Sequence, residues 1–110
     1  MKLELLQVTC GKTMLPTATV GVKIKGEVHT STATGNGPID ASFTAVRQLI
    51  SKTVILDEFL IQAITRGSDD IGKVHVQVEH EGKIYYGFAA NIDIITASVE
   101  AFIDAIAKIK

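Results

Sequence analysis

The stretch Lys73-Val74-His75-Val76-Gln77-Val78-Glu79-His80, followed by Glu81-Gly82 and then Lys83-Ile84-Tyr85-Tyr86-Gly87-Phe88-Ala89-Ala90, decides how this chain is read. Valine alternates with polar residues at a period of two, the mark of a strand with one buried face. Glu81-Gly82 is then a hairpin turn, because glycine supplies the positive φ that a two-residue turn demands. Two antiparallel strands, Lys73 to His80 and Lys83 to Ala90, follow from it.

Upstream, Val54 to Thr65 is rich in β-formers and makes a third strand. Downstream, Ile95, Val99, Phe102 and Ile106 are spaced by four, three and four residues, the apolar stripe of a helix. The unit therefore reads strand, strand, strand, helix.

Sliding the sequence against itself by 56 residues aligns it end to end without a gap. The shift pairs Thr9 with Thr65, Gly11 with Gly67, Val20 with Val76, Val22 with Val78 and Gly26 with Gly82. It goes on to pair Ala33 with Ala89, Ala41-Ser42 with Ala97-Ser98, Ala45 with Ala101, Ile50 with Ile106 and Lys52 with Lys108. Matches at turn glycines and along one helix face are the trace a structural duplication leaves. The first half accordingly has strands Leu3 to Thr9, Thr17 to Lys25 and Glu27 to Thr34, with a turn at Lys25-Gly26 and a helical stripe of Ile39, Phe43, Val46 and Ile50. Pro38 suits the first helical position and Gly37 its N-cap, and the repeat puts Asp93 at the equivalent cap. The expected fold is α+β: one domain of two βββα repeats, about 1–54 and 57–110, related by a pseudo-twofold.

Composition agrees with one domain of 110 residues. Apolar residues are 46% of the chain but aromatics only 5%, so the core is built from Ile, Val, Leu and Ala. Eleven basic against twelve acidic residues leave a net charge of −1, with no electrostatic footprint for nucleic acid or an anionic membrane. With no 18-residue apolar run and no signal-peptide pattern at Met1-Lys2-Leu3-Glu4, the expectation is a soluble cytoplasmic protein. Cys10, the single cysteine, is read as a small core residue.

Signals for catalysis are weak. His29, His75 and His80 have no ligand or triad spacing, and no metal or other cofactor is expected. Asp69-Asp70, between Gly67 and Gly72, reads as a solvated loop and not as an acid–base pair. Gly35-Asn36-Gly37 leads from a strand into a helix. Its backbone can approach a small ligand while the helix start offers N–H groups to an anion, or it is simply a tight connection.

Pro16-Thr17-Ala18-Thr19-Val20 with Thr34-Gly35-Asn36-Gly37-Pro38-Ile39-Asp40-Ala41 resembles the C-terminal regulatory domain of 2-isopropylmalate synthases and the related citramalate synthases. Ala63-Ile64-Thr65-Arg66-Gly67-Ser68-Asp69 and Asn91-Ile92-Asp93-Ile94-Ile95-Thr96-Ala97-Ser98 continue the similarity in the family's order, across nearly the whole chain. The resemblance implies a pair of βββα units that forms a homodimer and binds the pathway end product, leucine or isoleucine, near the dimer interface. By motif position it implies ligand contacts from Asn36, Gly37, Ile39 and Asp40 at the first helix start, Leu56, Phe59 and Ala63 on the long fourth strand, and Ile92 and Ile94 at the second helix start. One departure is that Leu56-Asp57-Glu58-Phe59 carries one residue more than is usual there. The synthase's catalytic barrel, with its metal-binding residues, is absent from these 110 residues. The chain is thus expected to be a sensing fragment whose further partner is the parent's catalytic domain. Leucine sensing for an isopropylmalate synthase is the first reading. Isoleucine sensing for a citramalate synthase, and a scaffold of the same fold without ligand, are the alternatives.

Overall fold

The computed structural model describes residues 1–12, 14–50, 54–66 and 69–109, with the backbone alone described at 14, 57, 61–66 and 69–70. The elements are β1 (Lys2–Gly11), β2 (Met14–Ile24), β3 (Glu27–Thr34), α1 (Pro38–Leu49), β4 (Ile55–Arg66), β5 (Asp69–His80), β6 (Lys83–Asn91) and α2 (Ile94–Ala107). They divide into two compact units, Met1–Thr53 and Val54–Lys110. Each is an antiparallel three-stranded sheet, ordered β1-β2-β3 or β4-β5-β6, with its own helix packed on one face. The α+β reading holds.

The alternation read in the sequence is the burial pattern. Val74, Val76 and Val78 are buried, as are Ala18, Val20 and Val22 at the equivalent positions of β2. Phe43 and Val46 of α1, and Val99, Phe102 and Ile106 of α2, complete the two cores, while Ile39, Ile50 and Ile95 are half-buried. Both two-residue turns carry positive φ at each central residue, 52° and 85° at Lys25-Gly26 and 52° and 79° at Glu81-Gly82. This is the mirror-image turn whose twist suits a hairpin.

The helices seat closely because the sheet gives way beneath them. A Cβ on Gly87 would lie 1.9 Å from the Ala101 carbonyl oxygen, so Gly87 lets the α2 backbone descend onto β6 beside Ala101 and Ala105. Burying that small-residue face brings α2 close enough to tie down the exposed edge of β6. The Asp104 carboxylate accepts the Phe88 N–H at 3.0 Å, and the Lys108 ammonium donates to the Tyr86 carbonyl.

The gapless repeat fails in the first strand. Leu6 pairs with Val20, and Phe59 pairs with the equivalent Val76. The β4–β5 hairpin is therefore three residues longer than the β1–β2 hairpin, and Thr9 corresponds structurally to Gln62 instead of Thr65. Sequence matching could not detect this, because a hairpin lengthened at its tip leaves the register of the following strands intact. Of the other matched residues, Lys52, Gly67 and Ser68 lie outside the described residues. Two further expectations are corrected. Asp69 and Asp70 open β5, their backbones paired with Arg66 and Thr65, and so belong to that longer hairpin instead of a loop. Cys10 is exposed as a free thiol, since it lies at the hairpin end of β1.

Candidate functional site

The first group of candidates surrounds the start of α1. Gly35 closes the strand side, its N–H donating to the Pro16 carbonyl at 3.1 Å. A Cβ there would meet the Ala41 nitrogen at 2.5 Å and an Asp40 carboxylate oxygen at 2.6 Å, so only glycine lets the chain pass this close to the first helical turn. Gly37 is the N-cap in extended conformation (φ −167°) with no side chain capping the helix, and Pro38 follows in the first turn. Around the Cβ direction of Gly37 there is nothing within 4 Å. The Asp40 carboxylate reaches back to accept the Asn36 N–H at 2.9 Å. Uncapped backbone N–H groups, open space beside Gly37 and the half-buried Ile39 side chain thus lie together.

The start of α2 occupies the equivalent position with different chemistry. Asp93 caps it, accepting the Ile95 N–H at 3.0 Å through one oxygen and the Thr96 hydroxyl at 2.7 Å through the other. Asn91 in turn accepts the Asp93 N–H at 2.9 Å. An acidic cap satisfies donors that an anion would otherwise take, so the duplicated helix starts are no longer alike. The α1 start is open and the α2 start is closed.

The remaining candidates lie in the second unit. Leu56 and Phe59 are three residues apart, a separation that in a regular strand puts side chains on opposite faces. A β-bulge between Leu56 and Glu58 changes this: Leu56 pairs with Val78 and Phe59 with Val76, so both share the face that α2 covers. The extra residue noted in the sequence is absorbed there. Ala63 pairs with Gly72, and its side chain lies outside what is described. Gly72 leaves room for Ile94, whose terminal methyl would sit 1.8 Å from a Cβ on residue 72. Ile94 and Ala63 therefore converge on one glycine, whereas Leu56 is about 20 Å from Ala63 along the strand. Ile92 is 76% exposed, on the loop before α2. Gly72 and Asn91 were not singled out in the sequence, whereas Gly35 stood in the turn read there as a possible approach for a ligand. The signal shared by the first two was position, since Gly72 and Asn91 pair with each other beside the start of α2.

The histidines do not form a centre. His75 is exposed and packs against Phe88 with ring centroids 4.8 Å apart, and His80 lies toward the opposite face, 3.8 Å from Glu81. Among the described residues no cluster of three or more His, Cys, Asp or Glu could hold a metal, and no helix is long and apolar enough to cross a membrane.

A duplicated βββα chain with one open and one capped helix start matches one known family along its whole length. Residues 1–110 fit the LeuA allosteric (dimerisation) domain. The chain belongs to this family. Among curated proteins, LeuA-domain similarity is 54% identity over 109 residues to a 2-isopropylmalate synthase of Parabacteroides distasonis, covering 98% of this chain and 22% of that protein. The 2-isopropylmalate synthases of Trichodesmium erythraeum and Crocosphaera subtropica are 45% and 43% identical, again over 98% of this chain and 20% of theirs. The LeuA domain described here thus spans about a fifth of the length of the relatives it matches.

Proposed function

We propose that this LeuA-type domain binds a branched-chain amino acid, leucine first, as an allosteric effector within a 2-isopropylmalate synthase, and that it pairs with a second copy of itself. The observation that carries the reading is the α1 start, where the N-cap is a glycine with open space beside it and no side chain takes the first N–H groups.

A zwitterionic aliphatic ligand needs donors for its carboxylate, an acceptor for its ammonium and a dry surface for its side chain. The uncapped N–H groups at the positive end of α1 suit the carboxylate. The free oxygen of Asp40 suits the ammonium, its other oxygen being held by the Asn36 N–H. Ile39 begins the apolar surface; Leu56, Phe59, Ala63, Ile92 and Ile94, all of the second unit, are contacts proposed from the family resemblance alone. Leucine is preferred because the curated relatives described above are isopropylmalate synthases.

Calorimetric titration of the chain with leucine, isoleucine, valine and lysine tests the reading. Saturable heat with leucine and none with lysine is expected. Stronger binding of isoleucine would move the chain to the citramalate branch. Flat titrations with all four would leave the scaffold alternative standing.

A further inference from the structure

We infer that the second copy docks on the outer face of the β4-β5-β6 sheet, the face turned away from α2, with the two sheets face to face and β5 crossing antiparallel to β5. The inference rests on the dimer proposed above and names its surface.

Pairing register sorts the residues of this face. His75 lies between Leu60 and Phe88, Gln77 between Glu58 and Tyr86, and Glu79 between Ile55 and Ile84. Leu60 is 50% exposed, Tyr86 62% and Phe88 46%, and Ile55, Ile71 and Ile84 are exposed as well. These side chains surround an open hollow lined by Glu58, Leu60, His75, Gln77 and Tyr86. The equivalent face of the first sheet is different in kind. It presents Thr17, Thr19, Thr30, Thr32 and Thr34 around Gly21, with the Thr19 and Thr32 hydroxyls bonded at 2.8 Å, and exposed Leu5 and Val28 sit beside Gly21 on the same face. Threonines thus make up most of one face, and large apolar and aromatic side chains most of the other. Exposed patches of the second kind mark association surfaces.

Three observations commit the occupant to a copy of this chain. The family to which the chain belongs is a dimerisation domain. The face is also self-complementary in charge. Lys73 stands toward one end of its β5 row and Glu79 at the other, with His75 and Gln77 between them. A twofold axis through the middle of that row places Lys73 opposite Glu79 of the partner subunit, and the reverse. Finally, α2 closes the β6 edge at Tyr86 and Phe88 through Lys108 and Asp104, so strand addition at those positions is blocked and the face remains. With strands about 4.8 Å apart and about 3.3 Å of rise per residue, three strands give a footprint of roughly 14 by 30 Å. Counted on both partners that is roughly 840 Å², below the roughly 1,000 Å² of stable interfaces, so a weak dimer, micromolar or weaker, is expected.

Sedimentation equilibrium of the chain across the micromolar range, on parent and variants with unchanged circular dichroism, is the test. Phe88→Lys and Leu60→Lys should each weaken dimerisation roughly tenfold or more. Thr32→Lys, on the first sheet, should leave it unchanged. Lys73→Glu should weaken the dimer by setting acid against acid, and Lys73→Glu combined with Glu79→Lys should restore it, a rescue that a merely structural role could not produce. A parent that stays monomeric throughout overturns the dimer itself. A dimer indifferent to Phe88→Lys and to the charge exchange, or one broken by Thr32→Lys, leaves the dimer standing and overturns this surface.

Discussion

The carboxylate of Asp40 accepts the Asn36 N–H across 2.9 Å, so one side chain both braces the turn into α1 and stands where an ammonium group would need an acceptor. These two roles can be separated. Asp40→Asn keeps an oxygen for the Asn36 N–H and removes the charge, while Asp40→Ala removes both. Stability by urea unfolding should change little in Asp40→Asn and fall by about 1 kcal/mol in Asp40→Ala. Leucine affinity, if the ammonium sits at Asp40, should fall roughly tenfold or more in both. An Asp40→Asn protein that binds leucine as tightly as the parent places the ammonium elsewhere.

The two helix starts predict opposite responses to substitution. Asp93→Ala deletes a cap that accepts from Ile95 and Thr96, and should cost about 1 kcal/mol while leaving the N–H groups and the Asp40 carboxylate of the α1 start unaltered. Gly37→Val meets open space in an extended backbone and should be close to neutral for folding, yet it fills the space beside the uncapped N–H groups. Thermal melts should therefore show the larger effect in Asp93→Ala, and leucine titrations the larger effect in Gly37→Val.

Two glycines beneath the second helix differ in what they face. A Cβ on Gly72 meets the flexible end of Ile94, whereas one on Gly87 meets the Ala101 carbonyl oxygen and the Ala105 nitrogen, which are helix backbone. Gly72→Ala should cost about 1–3 kcal/mol and be largely relieved by adding Ile94→Ala. Gly87→Ala should cost more, with no single side-chain change to relieve it. Urea unfolding of the four proteins checks both statements, and an Ile94→Ala background that fails to rescue Gly72→Ala would refute the first.

The bulge in β4 is a prediction about register. Deleting Asp57 alone leaves Leu56 and Phe59 two apart on the face covered by α2 and should be tolerated, whereas deleting Asp57 and Glu58 together makes them neighbours on opposite faces and withdraws one from that face. Both side chains are half-buried, so the double deletion should cost on the order of half the 1.5–3 kcal/mol of a fully buried one, read by urea unfolding. A single deletion that destabilises as much as the double one would refute this account of the bulge.

The sequence alone determined the turns, the strands and the helices, because each is written in local periodicity. Alternating valines at Val74, Val76 and Val78, glycine at the turns and the stripe through Phe43 and Val46 need only their neighbours to be read. It also placed Gly37 and Asp93 at the caps, since capping is a matter of the two or three residues next to a helix. Tertiary structure decided what depends on contacts between distant residues. The longer β4–β5 hairpin, the bulge that turns Leu56 and Phe59 to one face, and the fit of Ile94 over Gly72 are set by pairing and packing across the sheet. The difference between an open and a closed helix start came from both. The residues Gly37 and Asp93 were visible from the start, but only the folded turn shows the Asp93 carboxylate occupied by Ile95 and Thr96, and the space beside Gly37 left open.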